Sequence, residues 1–217
     1  MNKVPDRFSE TLIAVARDLA ARNWLRATSG NLSLRDPESG VIYITRSGVD
    51  KQRLDSSDII GVTSSGTVVG GTGKPSFETA IHQVIYARTS AQAVFHVHTV
   101  YNNVAARYAE GRGLEIGDHE MLKALGHWGE NARVTVPVIP NYADIRRVAD
   151  AAEQALDPAV PAFLLVRHGI YAFGESVPDA RRHLEALEFL FEWLHLDRMA
   201  QFAAVSGLPL THHNLVR

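Results

Sequence analysis

Cysteine is absent from all 217 residues, which removes disulfides, thiolate nucleophiles and thiolate metal sites together. Any metal this chain holds must therefore be bound by imidazole and carboxylate. Also missing is an apolar run near the roughly 18 to 20 residues that cross a bilayer. The opening Met1-Asn2-Lys3-Val4-Pro5-Asp6 has no signal-peptide core. A cytoplasmic protein with no membrane partner is expected. A net charge of -2 without any Lys/Arg cluster leaves no electrostatic footprint for nucleic acid. No Pro/Gly/Ser-rich linker and no internal repeat divides the sequence, so one domain over residues 1–217 is expected, with its core from about 8 to 205 and a polar tail. Phosphate-loop fingerprints are lacking as well. In Gly70-Gly71-Thr72-Gly73-Lys74 the position five before Gly73 is Val68 and Pro75 follows Lys74, and no G-x-G-x-x-G follows an expected strand.

What is present is ordinary globular material, 46% hydrophobic and 21% charged. Helical spacing of Phe8, Leu12, Val15, Ala16, Leu19 and Ala20 predicts a helix over 7–22. Alternation then predicts two hairpins, 31–35 with 41–45 and 59–63 with 67–69, closed by Asp36-Pro37-Glu38-Ser39-Gly40 and Ser64-Ser65-Gly66. Ser76 is read as the cap of a helix to about Arg88, followed by a strand carrying His96 and His98. Helices over 101–110, 119–125 and 144–156, strands over 133–139 and 161–168, and a long helix from Ser176 to about Phe202 complete the pattern. Strands and helices at irregular intervals point to an α/β fold with a mostly antiparallel central sheet covered by helices.

His96-Val97-His98 carries the chemistry. Positions two apart on a strand face the same side, so two imidazoles converge at the end of the apolar run Ala91 to Phe95. Pro161 to Arg167 delivers His168 in a similar way. Three neutral nitrogens with an open fourth position suit catalytic zinc. A lone histidine is more often a packing residue, and that is the reading for His82, His127, His183 and His195. On spacing alone Glu78 reads as a first-turn helix acid and Glu120 as a solvated one. Thr28-Ser29-Gly30-Asn31, Ser47-Gly48 and Pro75-Ser76 each have the composition of an anion-holding loop, and of an ordinary turn.

In order along the chain, Ala27-Thr28-Ser29-Gly30-Asn31, Ser47-Gly48-Val49-Asp50-Lys51, Lys74-Pro75-Ser76-Phe77-Glu78-Thr79, His96-Val97-His98-Thr99 and Arg167-His168-Gly169 resemble the class II aldolase/adducin family, from about Phe8 to Met199. Ser47 to Lys51, Glu120-Met121-Leu122-Lys123 and Arg182-His183-Leu184-Glu185 resemble its dehydratase branch. The resemblance implies one Zn2+ per subunit on His96, His98 and His168, Glu120 as acid/base residue, and Thr28, Asn31, Ser47, Gly48 and Ser76 around a substrate phosphate. Glu78 matches the catalytic glutamate of the aldolase branch, while Phe77 departs from the small or hydroxylated residue expected there. The implied activity is dehydration of a methylthio-substituted ketose phosphate in methionine salvage, by a homotetramer with interfacial active sites. A zinc aldolase acting on fuculose or ribulose phosphate, and a non-catalytic adducin-like interaction module, are the alternatives.

Overall fold

A computed structural model describes residues 3–109, 111 and 113–206; the polar tail expected from Gly207 onward lies outside them. An amphipathic helix α1 (Asp6–Ala21) opens the chain, burying Phe8, Leu12, Val15, Ala16 and Leu19. Two hairpins follow, β1 (Asn31–Arg35) with β2 (Ile42–Thr45), and β3 (Ile59–Val62) with β4 (Val68–Gly70). Then come α2 (Thr79–Arg88), β5 (Ala93–Val97), α3 (Val100–Tyr108), β6 (Leu114–Gly117), β7 (Arg133–Val136), β8 (Val138–Ile139) and α4 (Ile145–Ala155). The hairpin β9 (Ala162–Leu165) and β10 (Gly169–Gly174) leads into the long α5 (Val177–Ser206).

Eight strands form one sheet in the order β4-β3-β2-β1-β5-β10-β9-β8, antiparallel throughout except for the β8–β9 pair. The expected α/β class with a mostly antiparallel, helix-covered sheet is what the chain adopts. Strand alternation sorts its residues into two cores. Phe95, Val97, Ile170 and Ala172 pack with α1, α3 and α5, while Val94, Tyr171 and Phe173 pack with α2 and α4. His96 therefore points to the side of α2.

Four local expectations need correction. Ser76 does not cap α2; Glu78 holds that position with no side-chain cap bond, because the bridge between Arg46 and Pro75 keeps the chain extended up to Ser76. Residues 119–125 form a 3-10 helix (Glu120–Leu125) capped by His119. The single strand over 133–139 breaks at Pro137, which has no N–H to give a ladder; β7 then pairs with β6, an unexpected strand, and β8 with β9. His168 sits not at a strand end but in the β9–β10 turn, where Arg167 takes a left-handed φ of 55° and β10 was not anticipated.

Phe95 is fully buried in the central strand. Phe95→Ala should destabilise the protein by about 3 to 5 kcal/mol, read as a lowered midpoint in urea unfolding; a change within 1 kcal/mol or so would mean the site can collapse around the deletion.

Candidate metal centre and anion loops

His96, His98 and His168 each bring a ring nitrogen within 4.8 Å of the others. His96 Nδ1 donates to the Ile170 carbonyl at 2.9 Å, which leaves its Nε2 lone pair facing the cluster. His168 Nδ1 lies 3.3 Å from Asn141 Oδ1, orienting that ring likewise. The Nε2 atoms of His96 and His98 stand 2.8 Å apart, at hydrogen-bond distance. Burial, followed by the neighbouring imidazoles, pushes His98 down to about 3, and His96 well below its ordinary value. Both rings are thereby neutral and able to ligate. Tyr171 stacks on His96 at 4.0 Å and fixes its plane. Gly169 is there for space: a Cβ would come within 2.8 Å of both His96 Cε1 and His98 Cδ2.

Glu78 belongs to this cluster, contrary to its reading as a helix acid. Because the turn at Ser76 to Glu78 precedes α2, its carboxylate swings inward, with Oε2 3.3 Å from His96 Nε2 and Oε1 3.2 Å from His168 Nε2. Asn31 Nδ2 donates to Oε2 at 2.5 Å. Three imidazoles with a carboxylate beside them make a donor set that fits a divalent transition ion. Glu120 lies elsewhere on the subunit. It is 81% exposed, bonds Lys123 Nζ at 2.6 Å, and borders a cleft of about 260 Å³ lined by Asp118, His119, His127 and Trp128 but by none of the triad.

The three candidate anion loops do meet. Ser47 N–H donates to Lys74 O at 3.1 Å, and Lys51 Nζ donates to the carbonyls of Thr28 and Val49 at 3.0 Å each. Gly48 has φ +73° with open space where a Cβ would be, so the backbone there is accessible. Ser76 Oγ accepts from Glu78 N–H at 3.3 Å. Thr28 is exposed, whereas Asn31 is buried with its amide on Glu78 and His82. Lys51, 3% exposed, was quoted in the sequence pattern without a role; its signal was a lone cation inside a glycine-bearing loop. Desolvation lowers its pKa, opposed by Asp50, Asp58 and Glu78. Phe77 projects to solvent, 69% exposed.

Substitution separates the metal ligands from the wall beside them. His168→Ala should lower zinc stoichiometry sharply in elemental analysis, and Gly169→Ala should weaken zinc affinity about 10-fold or more in chelator competition. Full stoichiometry in His168→Ala would assign the third ligand to another group.

Acid should destabilise the metal-free protein. Buried His82 is held down at about 4 and His98 at about 3, against an unfolded value of 6.5. The unfolded chain thus binds protons first, and stability present above pH 6.5 is lost as pH falls toward those values, by roughly 3 kcal/mol per residue. Glu188, raised by burial to about 7 from 4.5, acts oppositely: its contribution is full below 4.5 and is lost as pH rises through 7. Two histidines outweigh one glutamate, so the urea midpoint should fall between pH 7 and 4.5, and fall further in Glu188→Gln. A midpoint that rises over that range would contradict the buried neutral histidines.

The family model described as Class II Aldolase and Adducin N-terminal domain matches residues 10–195. A methylthioribulose-1-phosphate dehydratase from Geobacillus thermodenitrificans (strain NG80-2) is 43% identical over 197 residues, covering 89% of this chain and 93% of the relative. Its namesake from Persephonella marina (strain DSM 14350 / EX-H1) is 43% identical over 80% of this chain and 82% of its own length. Among solved structures, an L-fuculose 1-phosphate aldolase superposes with a TM-score of 0.76 at 27% identity, covering 98% of this chain and 94% of that one. The match over residues 10–195, with the triad and its glycine wall inside it, makes this chain a member of the class II aldolase and adducin N-terminal domain family.

Proposed function

We propose that this chain is a zinc-dependent methylthioribulose-1-phosphate dehydratase, a hydro-lyase that converts 5-methylthioribulose 1-phosphate to 5-methylthio-2,3-diketopentyl 1-phosphate in methionine salvage. The observation that carries the reading is 43% identity, over 89% of the chain, to a relative bearing that name. The convergent His96, His98 and His168 support a metal enzyme over an adducin-like interaction module.

His96, His98 and His168 would hold a divalent ion, which would supply Lewis-acid stabilisation for the negative charge that grows on the C2 oxygen when C3 loses its proton. Glu78, held against the triad, takes that proton. Glu120 gives a proton to the C4 hydroxyl, which leaves as water, and the remaining 3,4-enol becomes the 2,3-diketone by losing its hydroxyl proton and gaining one at C4. Backbone N–H groups and hydroxyls of the loops bearing Thr28, Asn31, Ser47, Gly48 and Ser76 hold the phosphate, and the anchored remote end keeps C3 in place. The working unit is a cytoplasmic homotetramer with its sites at subunit boundaries, so the exposed Glu120 acts at such a boundary.

Retro-aldol cleavage is the second reading, favoured by the carboxylate of Glu78 beside the triad and by the fuculose phosphate aldolase of similar fold. The zinc-loaded protein should be incubated with methylthioribulose 1-phosphate and, in parallel, with L-fuculose 1-phosphate. Mass spectrometry should show a product lighter by one water with its carbon skeleton whole; two- or three-carbon fragments would overturn the dehydratase reading. Glu120→Gln should retain zinc while kcat drops about 100- to 10,000-fold, and near-normal turnover would remove Glu120 from the mechanism.

A further inference from the structure

His82 does not behave as an isolated packing residue. Glu78, His82 and Tyr86 follow one another at intervals of four along the start of α2, and Asn31 and Ser33 are two apart on β1. Four helical residues rise about 6 Å and two strand residues about 6.7 Å. The two rows therefore interdigitate. Asn31 fits between Glu78 and His82, and Ser33 between His82 and Tyr86. All four residues behind Glu78 are buried, none more than 4% exposed.

The direction of each bond can be assigned. An ionised carboxylate only accepts, so Asn31 must turn Nδ2 toward Glu78 and Oδ1 toward His82. His82 Nε2 then carries the hydrogen, since a carbonyl oxygen cannot donate. Its bare Nδ1 accepts from Ser33 Oγ at 2.7 Å, and Ser33 Oγ in turn accepts from Tyr86 OH at 2.8 Å. Every hydrogen points the same way, and such files reinforce one another in a low-dielectric interior. Burial pushes the Tyr171 hydroxyl well above its ordinary pKa, and the carboxylate of Glu78, which it faces, raises it further.

We infer that Tyr86, Ser33, His82 and Asn31 form a one-way file of hydrogen bonds donated toward Glu78, which makes His82 a positioning residue for the carboxylate at the metal centre. The inference rests on the triad holding a divalent ion, as in the function proposed above, and on neither substrate. Burial keeps His82 neutral, as a fixed tautomer requires.

Two measurements test it. Nitrogen-15 NMR of the zinc-loaded wild-type protein, labelled at histidine, should show His82 neutral with its proton on Nε2. A proton on Nδ1 would overturn the file, whatever the substrate proves to be. Zinc affinity by chelator competition should then weaken about 10-fold or more in His82→Leu. In His82→Gln, whose amide N–H replaces the Nε2 donor, it should stay within about threefold of wild type. In a Glu78→Ala background the leucine should add less than about twofold, because nothing remains for the file to hold. Equal losses from His82→Leu with and without Glu78 would make His82 merely structural and sink the proposal. If wild-type protein binds no zinc, the metal reading fails by itself, and the tautomer still decides the file.

Discussion

Register across three central strands is the constraint on which the site depends. Asn31 on β1 is opposite His96 on β5, and His96 is opposite Tyr171 on β10, so one row across the sheet carries the residue that holds Glu78, the first ligand and the ring stacked on it. A slip of one residue between any pair would send one of them to the other face. The register is fixed by packing on both sides, because β5 presents Ala93, Phe95 and Val97 to one core and Val94 to the other. Two cores of different composition leave the sheet a single way to lie. The metal centre is an edge effect of that alternation: His96 continues the Val94 face at the strand end, where apolar neighbours give way to α2 and the β9–β10 turn.

The turns that carry His98 and His168 are tied to one helix start. Thr99, directly after His98, caps α3 by accepting from Asn102 N–H at 3.0 Å, and its own hydroxyl donates to Glu188 on α5 at 2.6 Å. Asn102 Nδ2 also donates to Glu188, at 2.8 Å, while Asn103 Nδ2 reaches the His168 carbonyl at 2.9 Å. Hydrogen bonds thus tie the His98 and His168 segments to the start of α3, and α3 to α5. Such anchoring of ligands through their outer contacts narrows the geometries the site can adopt. The same burial that locks these groups also penalises a charge on His98.

Much of this arrangement was legible in the sequence, and the remainder was hidden for identifiable reasons. Period-two spacing showed that His96 and His98 share a face, since that depends only on local geometry. His168 was a candidate from its similar apolar lead-in, and family resemblance supported grouping it with them, because no local signal states that two strands adjoin. Its turn was missed since Arg167 adopts a left-handed conformation that glycine or asparagine would have advertised. Pro137, in contrast, could have warned that 133–139 is two strands. Glu78 and His82 read as a first-turn helix acid and a packing imidazole because their partners on β1 are 47 to 51 residues away. Only their spacing of four, set against Asn31-x-Ser33, hinted at a shared file.

Lys51 joins the anion loops to the metal centre. Ala27 and Thr28 are consecutive non-glycine residues with φ of 53° and 63°, a conformation costing on the order of 1 kcal/mol or more each. Strain of that size persists only where surroundings over-determine it. On one side the buried ammonium of Lys51 holds the Thr28 carbonyl; on the other Gly30 lies flat against the ligand strand, where a Cβ would come within 2.6 Å of the His96 carbonyl and of Leu25. The loop thus lies against the backbone of His96 at one end and is tied to the Val49 loop at the other. A buried cation also raises the local potential for any anion these loops receive. Because Gly30 sets how closely the loop approaches His96 and Lys51 sets how the Thr28 and Val49 loops are spaced, the two together hold these loops at one separation from the histidine cluster.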